Sequence, residues 1–183
     1  QALDRALEVF WRQGFEGASI CDLTEAMGIN PPSLYAAFGN KEQLFRQALD
    51  RYAEVYAERR AALLAAPTGR EAIEALLRDA ARSLTDKSSP TGCLYVQAIA
   101  GGSEHGACIR EMLKTKREDS ERELRQRLER AKAEGELPDD ADPAALARFI
   151  TTVAQGMSVQ ASGGATRKEL ERVVDFALGA WPS

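Results

Sequence analysis

Apolar residues recur at three- and four-residue spacing along most of the chain, a pattern that predicts helices. Between Ser19 and Phe38 this pattern is interrupted at Gly28, a residue that readily takes the left-handed conformation found after a helix. Ser19 and Asn30 are both favourable N-cap residues, one before each half of the segment. The segment therefore predicts two short helices joined by a tight turn, the second short enough to lie in a major groove of DNA.

The same spacing, together with caps and helix-ending residues, predicts helices along the rest of the chain. Their expected ranges are about 2–13, 40–66, 68–84, 92–100, 107–134, 143–157 and 166–181. The long helix over 40–66 carries apolar residues that suit two different cores. We therefore predict an all-α protein in which an N-terminal helix-turn-helix domain, residues 1–50, is joined by a long helix to a larger helical domain, residues 51–183.

Composition narrows the class of protein without assigning a function. Of the 183 residues, 44% are hydrophobic and 28% charged, as in ordinary globular proteins. The sequence has neither a signal peptide nor an apolar run of membrane-spanning length, so we expect a soluble cytoplasmic protein without membrane contact. Three cysteines, Cys21, Cys93 and Cys108, lack C-x-x-C spacing, which favours reduced structural thiols over a disulfide framework or a zinc site. Because the chain begins without methionine inside a helical pattern, we expect further residues before Gln1.

Charge by itself does not predict nucleic-acid binding. The net charge is -4, and residues 1–60 carry seven basic and nine acidic side chains. Affinity for DNA depends on where positive charge lies relative to the phosphates rather than on the total. A binding face here would have to use Lys41, the Tyr35 hydroxyl and the positive ends of helices.

A set of residues at fixed spacing resembles a known family. The residues are Gly14-Phe15, Ser19-Ile20, Leu23, Ala26, Gly28-Ile29, Ser33-Leu34-Tyr35, Phe38-Gly39, Lys41-Glu42 and Leu44-Phe45. Together they resemble the N-terminal domain of the TetR family of bacterial transcriptional regulators. The resemblance implies a dimeric, all-helical repressor with a C-terminal domain that binds a small molecule, and it implies phosphate contacts for Tyr35 and Lys41. Cys21, Thr24 and Ala36-Ala37 depart from the usual residues and leave fewer polar groups for base contacts.

We expect the DNA contacts on the outward faces of the two short helices and at the start of the long helix. The expected residues are Ser19, Cys21, Pro32, Ser33, Tyr35, Ala36 and Lys41. Ser33 could hydrogen-bond a base edge, and Ala36 could contact a thymine methyl group. Leu34, Ala37 and Phe38 are expected to face inward.

The last two predicted helices suit a subunit interface. The expected interface residues are Leu146, Phe149, Ile150, Val153, Gly156 and Met157 on one helix and Val173 and Phe176 on the other. Phe176 lies off the main apolar stripe of its helix, which favours a second apolar face and a four-helix arrangement between two subunits. The alternative is that both helices only complete the core of a monomer.

A site for the small molecule is indicated less directly, by aromatic and polarizable residues of the second core. The expected residues are Tyr56, Tyr95, Gln97, His105, Met112, Phe149 and Met157. Ordinary core packing is the alternative for each of them. The sequence does not define the chemistry of the effector.

The sequence contains no enzyme motif. His105, the single histidine, lies in a glycine-rich turn, and its neighbours Ser103 and Glu104 do not make a catalytic triad. A P-loop, a nucleophile elbow, a dinucleotide fingerprint and metal-ligand spacing are all absent from the sequence, so we expect no catalytic residues, cofactor or metal. Two functions remain: a ligand-responsive repressor that binds double-stranded operator DNA as a homodimer, and a dimeric ligand- or protein-binding module without DNA affinity.

Overall fold

The computed structural model describes residues 1–97 and 106–182, and these residues form helices without any strand. The helices are α1 (Ala2–Gly17), α2 (Ile20–Met27), α3 (Pro31–Phe38), α4 (Lys41–Leu64), α5 (Gly69–Ser83), α6 (Leu94–Gln97), α7 (Gly106–Ala133), α8 (Pro143–Ser162) and α9 (Arg167–Gly179). The predicted all-α class is confirmed.

Most predicted helix starts are confirmed, because short polar side chains cap the first turns there. The Ser19 and Asn30 side chains accept hydrogen bonds from backbone N–H groups in the first turns of α2 and α3. Thr68 and Thr166 form capping boxes with the glutamates three residues later, at the starts of α5 and α9. Local cap chemistry therefore defines these boundaries.

Three predicted helices differ from the structure, and one of them, α8, continues to Ser162 instead of ending near residue 157. α1 does not end at residue 13 but continues to Gly17, with a kink at Gly14, where φ is +71°. α6 begins at Leu94, two residues after the predicted start, and is described as far as Gln97; the predicted residues 98–100 lie outside the described residues. The kink arises because glycine can take a positive φ within one element, so that the helical pattern resumes after it.

The chain forms two compact units. Unit 1 contains Gln1–Glu58 and Leu94–Leu113, and unit 2 contains Arg59–Cys93 and Lys114–Ser183. The boundary predicted from the sequence lies near residue 50, whereas in the structure the segment Leu94–Leu113 belongs to the same unit as the N-terminal helices. It does so in part because α6 packs against α1, a contact between segments far apart in the sequence.

The core of unit 1 is built around aromatic rings. Phe10 and Phe45 are fully buried and meet edge to face, with ring centroids 4.8 Å apart. On the α6 side, Tyr52 contacts both Trp11, at 5.0 Å, and Tyr95, at 5.1 Å. Such edge-to-face pairs add to the stabilisation from burial. These rings hold α1, α4 and α6 together.

The core of unit 2 lies among α5, α8 and α9 and the second half of α7. Ile73, Leu128, Ile150 and Val174, one from each of these helices, are almost completely buried in it. The buried Arg127 of α7 also belongs to this unit and donates hydrogen bonds to the last residue of α4, Leu64, and to Ala66 just after it. Unit 2 is therefore a helical bundle with one buried guanidinium at its edge.

Candidate nucleic-acid interface

The start of α2 is fixed by three reciprocal hydrogen bonds between Ser19 and Asp22. The Asp22 N–H donates to Ser19 Oγ at 3.0 Å, and the Ser19 N–H and hydroxyl donate to Asp22 Oδ2 at 3.0 and 2.6 Å. The bonds from the Ser19 hydroxyl and then its backbone N–H hold the pKa of Asp22 below its ordinary value. The cap is therefore made by an ionised carboxylate at neutral pH.

The turn between α2 and α3 is defined by backbone bonds around a left-handed glycine. Gly28 has φ +68° and ψ +34°, and the N–H of Ile29 donates to the Thr24 carbonyl at 3.1 Å. The buried Thr24 hydroxyl is satisfied by the Ile20 carbonyl, at 2.8 Å. Arg5 of α1 donates to the Ala26 carbonyl at 3.3 Å. These contacts fix the angle between α2 and α3.

α3 presents an exposed face with no charged side chain. Asn30 Oδ1 accepts a bond from the Ser33 N–H at 2.9 Å, and the prolines at the start of the helix lose no intrahelical bond there. Leu34 is fully buried, whereas Tyr35 is 50% exposed. Ala37, expected to face inward, is exposed, because Leu34 and the half-buried Phe38 suffice to pack this short helix.

The residues expected to contact DNA are almost all at the surface. Ser19, Cys21, Pro32, Ser33, Tyr35 and Ala36 are exposed, and Lys41 is half-buried. We call Pro32, Ser33, Tyr35 and Ala36 the α3 face. Contact between these residues and DNA stays a prediction.

Lys41 lies at the start of α4 and is already engaged in the protein. Its Nζ lies 4.6 Å from the centre of the Phe15 ring and donates to the Glu16 carbonyl at 3.5 Å. Partial burial lowers the pKa of Lys41, and the charge of Glu16 opposes that shift. This arrangement could not be predicted from the sequence, since the ring and the ammonium are 26 residues apart in the chain.

The link between α3 and α4 requires a glycine. Gly39 has φ +80°, and a Cβ atom there would collide with the Gln43 side chain. That side chain accepts a bond from the Asn40 N–H at 3.1 Å, while Asn40 Oδ1 accepts one from the Gln43 N–H at 2.8 Å. Gln43, which was not among the expected residues, completes the cap because it lies three residues after Asn40.

Comparison with known proteins decides the family. Residues 2–48 match the family described as bacterial regulatory proteins, tetR family, and residues 69–176 match the tetracyclin repressor-like C-terminal domain. The chain belongs to the TetR family. The resemblance predicted from the residues around α2 and α3 is thereby confirmed.

Named relatives of this TetR-family chain are regulators of transcription. It is 37% identical to the HTH-type transcriptional repressor ComR of Escherichia coli, over 99% of this chain and 87% of ComR. A cysteine mutant of the TetR family transcriptional regulator CifR, complexed with 26-bp double-strand operator DNA, superimposes with a TM-score of 0.96. That structure is 46% identical and covers 99% of this chain and 95% of the CifR chain. The chain is therefore a TetR-family transcriptional regulator.

The expected interface residues divide between core and surface. Ile150 and Met157 are each 1% exposed and pack in the core of unit 2, which leaves almost none of either side chain at the surface for a partner. Leu146 and Val153 are half-buried against the same core. The exposed members are Phe149, Gly156, Val173 and Phe176, and Val159 of α8, missed by the sequence analysis, is exposed as well.

The expected effector residues do not gather in one unit. Tyr56, Tyr95, Gln97 and Met112 are half-buried and belong to unit 1, whereas Phe149 and Met157 belong to unit 2. Tyr56 packs on Tyr52 with ring centroids 4.6 Å apart. His105 lies outside the described residues, as does the side chain of Cys108. A cavity of about 410 Å³ in the described part of the chain runs along α7 and is lined by Glu118, Glu121, Arg122, Arg125, Gln126 and Glu129, none of them an expected effector residue.

Two features are absent from the described residues: a membrane-spanning helix and a cluster of metal-binding side chains. Residues 1–97 and 106–182 contain no helix long and apolar enough to cross a bilayer. Within the same ranges no three histidine, cysteine or carboxylate side chains are grouped as a metal site would require.

Proposed function

We propose that this TetR-family regulator is a homodimeric repressor that binds double-stranded operator DNA and is released from it by a small-molecule effector. The observation that carries the proposal is the α3 face, an exposed surface on a helix fixed by the Asn30 cap and the Gly28 turn. A rigid short helix with small and polar outward groups suits a major groove. The structure of CifR with its operator supports the same use of the fold.

The contacts with DNA would divide into two classes. Tyr35 and Lys41 would bind phosphates and thereby set the position of the protein on the duplex, with little information about sequence. Ser33 and Ala36 would meet base edges, through a hydrogen bond and a methyl contact. Ser19 and Cys21, exposed at the start of α2, would adjoin the backbone, where a helix N-terminus favours phosphate.

A dimer would place two α3 faces, one from each subunit, on one operator. The support for a dimer is the exposure of large apolar side chains on α8 and α9: Phe176 is 79% exposed, Phe149 40% and Val173 41%. Apolar groups of this size are commonly covered by another subunit. Two α3 helices about 34 Å apart would then meet successive turns of the same DNA face.

The effector would act by favouring a state of the dimer in which the two α3 helices, one from each subunit, no longer fit the two half-sites of the operator. Such coupling is reciprocal: an effector that weakens operator binding must itself bind the operator complex more weakly by the same factor. The half-buried tyrosines Tyr56 and Tyr95 and the neighbouring Gln97 are the residues we propose for effector contact. This function needs no catalytic step, cofactor or membrane, and it places the protein in the cytoplasm with its DNA.

The proposal is tested by equilibrium binding to the DNA that flanks the gene for this chain. Labelled duplexes of that region and a shuffled duplex of equal length and composition would be titrated by fluorescence anisotropy. We expect the flanking duplex to bind at least about a thousandfold more tightly than the shuffled one. Equal, weak binding of both duplexes would contradict the proposal.

A second function, a dimeric ligand- or protein-binding module without DNA affinity, is favoured by one observation. Residues 1–60 carry seven basic against nine acidic side chains, and α3 has no charged side chain at all. Such a surface gains little from counterion release. Equal weak binding in the titration above would support this module, and tight binding to the flanking duplex would exclude it.

A further inference from the structure

The Lys41 ammonium is held by two groups that come from the end of α1. The face of the Phe15 ring lies 4.6 Å from Nζ, and the Glu16 carbonyl accepts a hydrogen bond from it at 3.5 Å. Cations are attracted to the electron-rich face of an aromatic ring. The flexible lysine side chain is therefore confined before any DNA is present.

The ring beneath the ammonium is itself fixed. The kink at Gly14, with φ +71°, redirects α1 so that Phe15 turns toward the core. There its centroid lies 6.3 Å from that of Phe10 and 5.2 Å from that of Phe45. Since Phe10 and Phe45 are fully buried, the Phe15 ring has a rigid support on its inner side. Its outer face is the part that meets Lys41.

The same position leaves the ammonium able to bind an anion. An ammonium group carries three N–H donors, and the bond to the Glu16 carbonyl uses one of them. Lys41 is half-buried, but the hydrogen bond of its Nζ to Glu16 is exposed, so its charged end reaches solvent. Confining a long side chain costs conformational entropy, and a side chain confined in advance does not incur that cost again on binding.

We propose that Phe15 is a positioning residue for DNA binding: its ring holds the Lys41 ammonium where a phosphate of the operator meets it. The inference rests on the proposed function, because it requires that Lys41 contacts DNA. It assigns to Phe15 a role in affinity that is exerted entirely through another side chain.

The first test examines the protein without DNA. In a ¹H–¹³C spectrum of lysine-labelled protein, the Lys41 ε-methylene protons should be shifted upfield by the ring current of Phe15. The shift should disappear in Phe15→Leu and Phe15→Met, which keep an apolar side chain without a π-face, and should persist in Phe15→Tyr. A wild-type resonance at the position of solvated lysines would overturn the inference.

The second test is a double-mutant cycle on operator affinity. Phe15→Leu and Phe15→Met should weaken binding about two- to tenfold, because Lys41 must then be confined on binding at a cost of about 0.5 to 1.5 kcal/mol. In a Lys41→Ala background the same changes should have no effect. Phe15→Tyr should bind like the wild type, since the ring is restored.

Outcomes that contradict the inference are distinct from those that contradict the proposed function. If Phe15→Leu and Phe15→Met weaken binding equally with and without Lys41, Phe15 acts only through packing of the unit and the inference is wrong. Tighter binding by these variants would show that the ring competes with the phosphate, which also overturns it. Failure of the wild-type protein to bind the flanking duplex would remove the proposed function and this inference together.

Discussion

At the scale of single residues, the candidate DNA interface is organised by short polar side chains that bond to nearby backbone. Ser19, Asn30 and Asn40 each accept a bond from the N–H three residues later. Each bond satisfies a donor that the first turn of a helix leaves without an intrahelical partner. The positions of the outward side chains on α3 therefore depend on groups that need not touch DNA.

Lys41 gives the first prediction, which concerns phosphate binding. Replacing it with alanine should weaken binding to all duplexes by a similar factor and reduce the salt dependence by about one unit of slope, because one counterion fewer is released. Tyr35→Phe should also weaken binding without changing sequence preference. The measurement is the operator affinity over a series of salt concentrations.

Lys168→Ala is the matched control for Lys41→Ala. It removes the same charge, but Lys168 is exposed in the first turn of α9, away from the α3 face in the sequence. Its salt slope should equal that of the wild type. If Lys41→Ala and Lys168→Ala have the same slope, Lys41 makes no phosphate contact.

Ser19 gives the second prediction, which concerns pH. The folded-state pKa of Asp22 lies below the ordinary value of 3.8, so its stabilising contribution is present above that value and is lost as the pH falls through the folded pKa. Ser19→Ala removes the hydroxyl that does most to lower the pKa. The variant should therefore be less stable than the wild type at neutral pH, with a smaller difference in acid.

Urea unfolding at neutral pH and at a strongly acidic pH, below the folded-state pKa of Asp22, would measure that difference. Ser19→Thr is the control, since threonine keeps the hydroxyl and caps helices nearly as well. A stability loss in Ser19→Ala that stays constant down to strongly acidic pH would show that Asp22 is not involved.

At the scale of elements, α4 is anchored at both ends by different chemistry. Its start is capped by the Asn40 and Gln43 side chains. At its end, the buried Arg127 of α7 donates to the carbonyl of the last residue, Leu64, at 3.0 Å and to that of Ala66 at 3.1 Å. The last carbonyls of a helix lack intrahelical donors, and here a guanidinium supplies them. The end of α4 is thereby tied to the core of unit 2.

Arg127 gives the third prediction, which concerns stability. Arg127→Met should lower the free energy of unfolding by about 1 to 3 kcal/mol, because the carbonyls it serves lose their donors while partly shielded from water. Arg125→Met is the control: Arg125 is exposed on the same helix and pairs with Glu129 at the surface. Arg125→Met should lower the free energy of unfolding much less, since exposed ion pairs contribute little to stability. Urea unfolding curves measure both, and equal losses would contradict the anchoring role.

At the scale of the whole molecule, the main question is what covers the apolar side chains of α8 and α9. Phe149, Val159, Val173 and Phe176 are all at least 40% exposed. Other apolar side chains of α8, such as Ile150 and Met157, pack in the core of unit 2 instead. A subunit interface would therefore be narrower than the apolar pattern of the sequence suggests, and centred on the phenylalanines.

Phe149 gives the fourth prediction, which concerns assembly. If a second subunit covers it, Phe149→Glu would bury a charge without a partner and should yield monomers or insoluble protein. Val55→Glu is the matched control, because Val55 is an exposed apolar residue of α4, at 53%, outside these two helices. Light scattering coupled to size-exclusion chromatography gives the mass of each. A folded dimer of Phe149→Glu would refute this interface.

The helices, their caps and the family could be predicted from the sequence because they depend on short-range rules. The periodicity that marks α2 and α3, the hydroxyl of Ser19 and the positive φ of Gly28 all act within a few residues of their positions. The expected outward side of α3 was also correct, apart from Ala37, for the same reason. Expectations that rested on a single turn of chain therefore needed no tertiary structure.

Tertiary structure alone decided which partner each side chain meets. An apolar stripe shows that a helix has a buried side but not what covers it, so the sequence could not separate Ile150, in the core, from Phe149, at the surface. The ring under Lys41 and the carbonyls around Arg127 come from distant parts of the chain. Such contacts are set by the packing of whole helices, which local propensity leaves open.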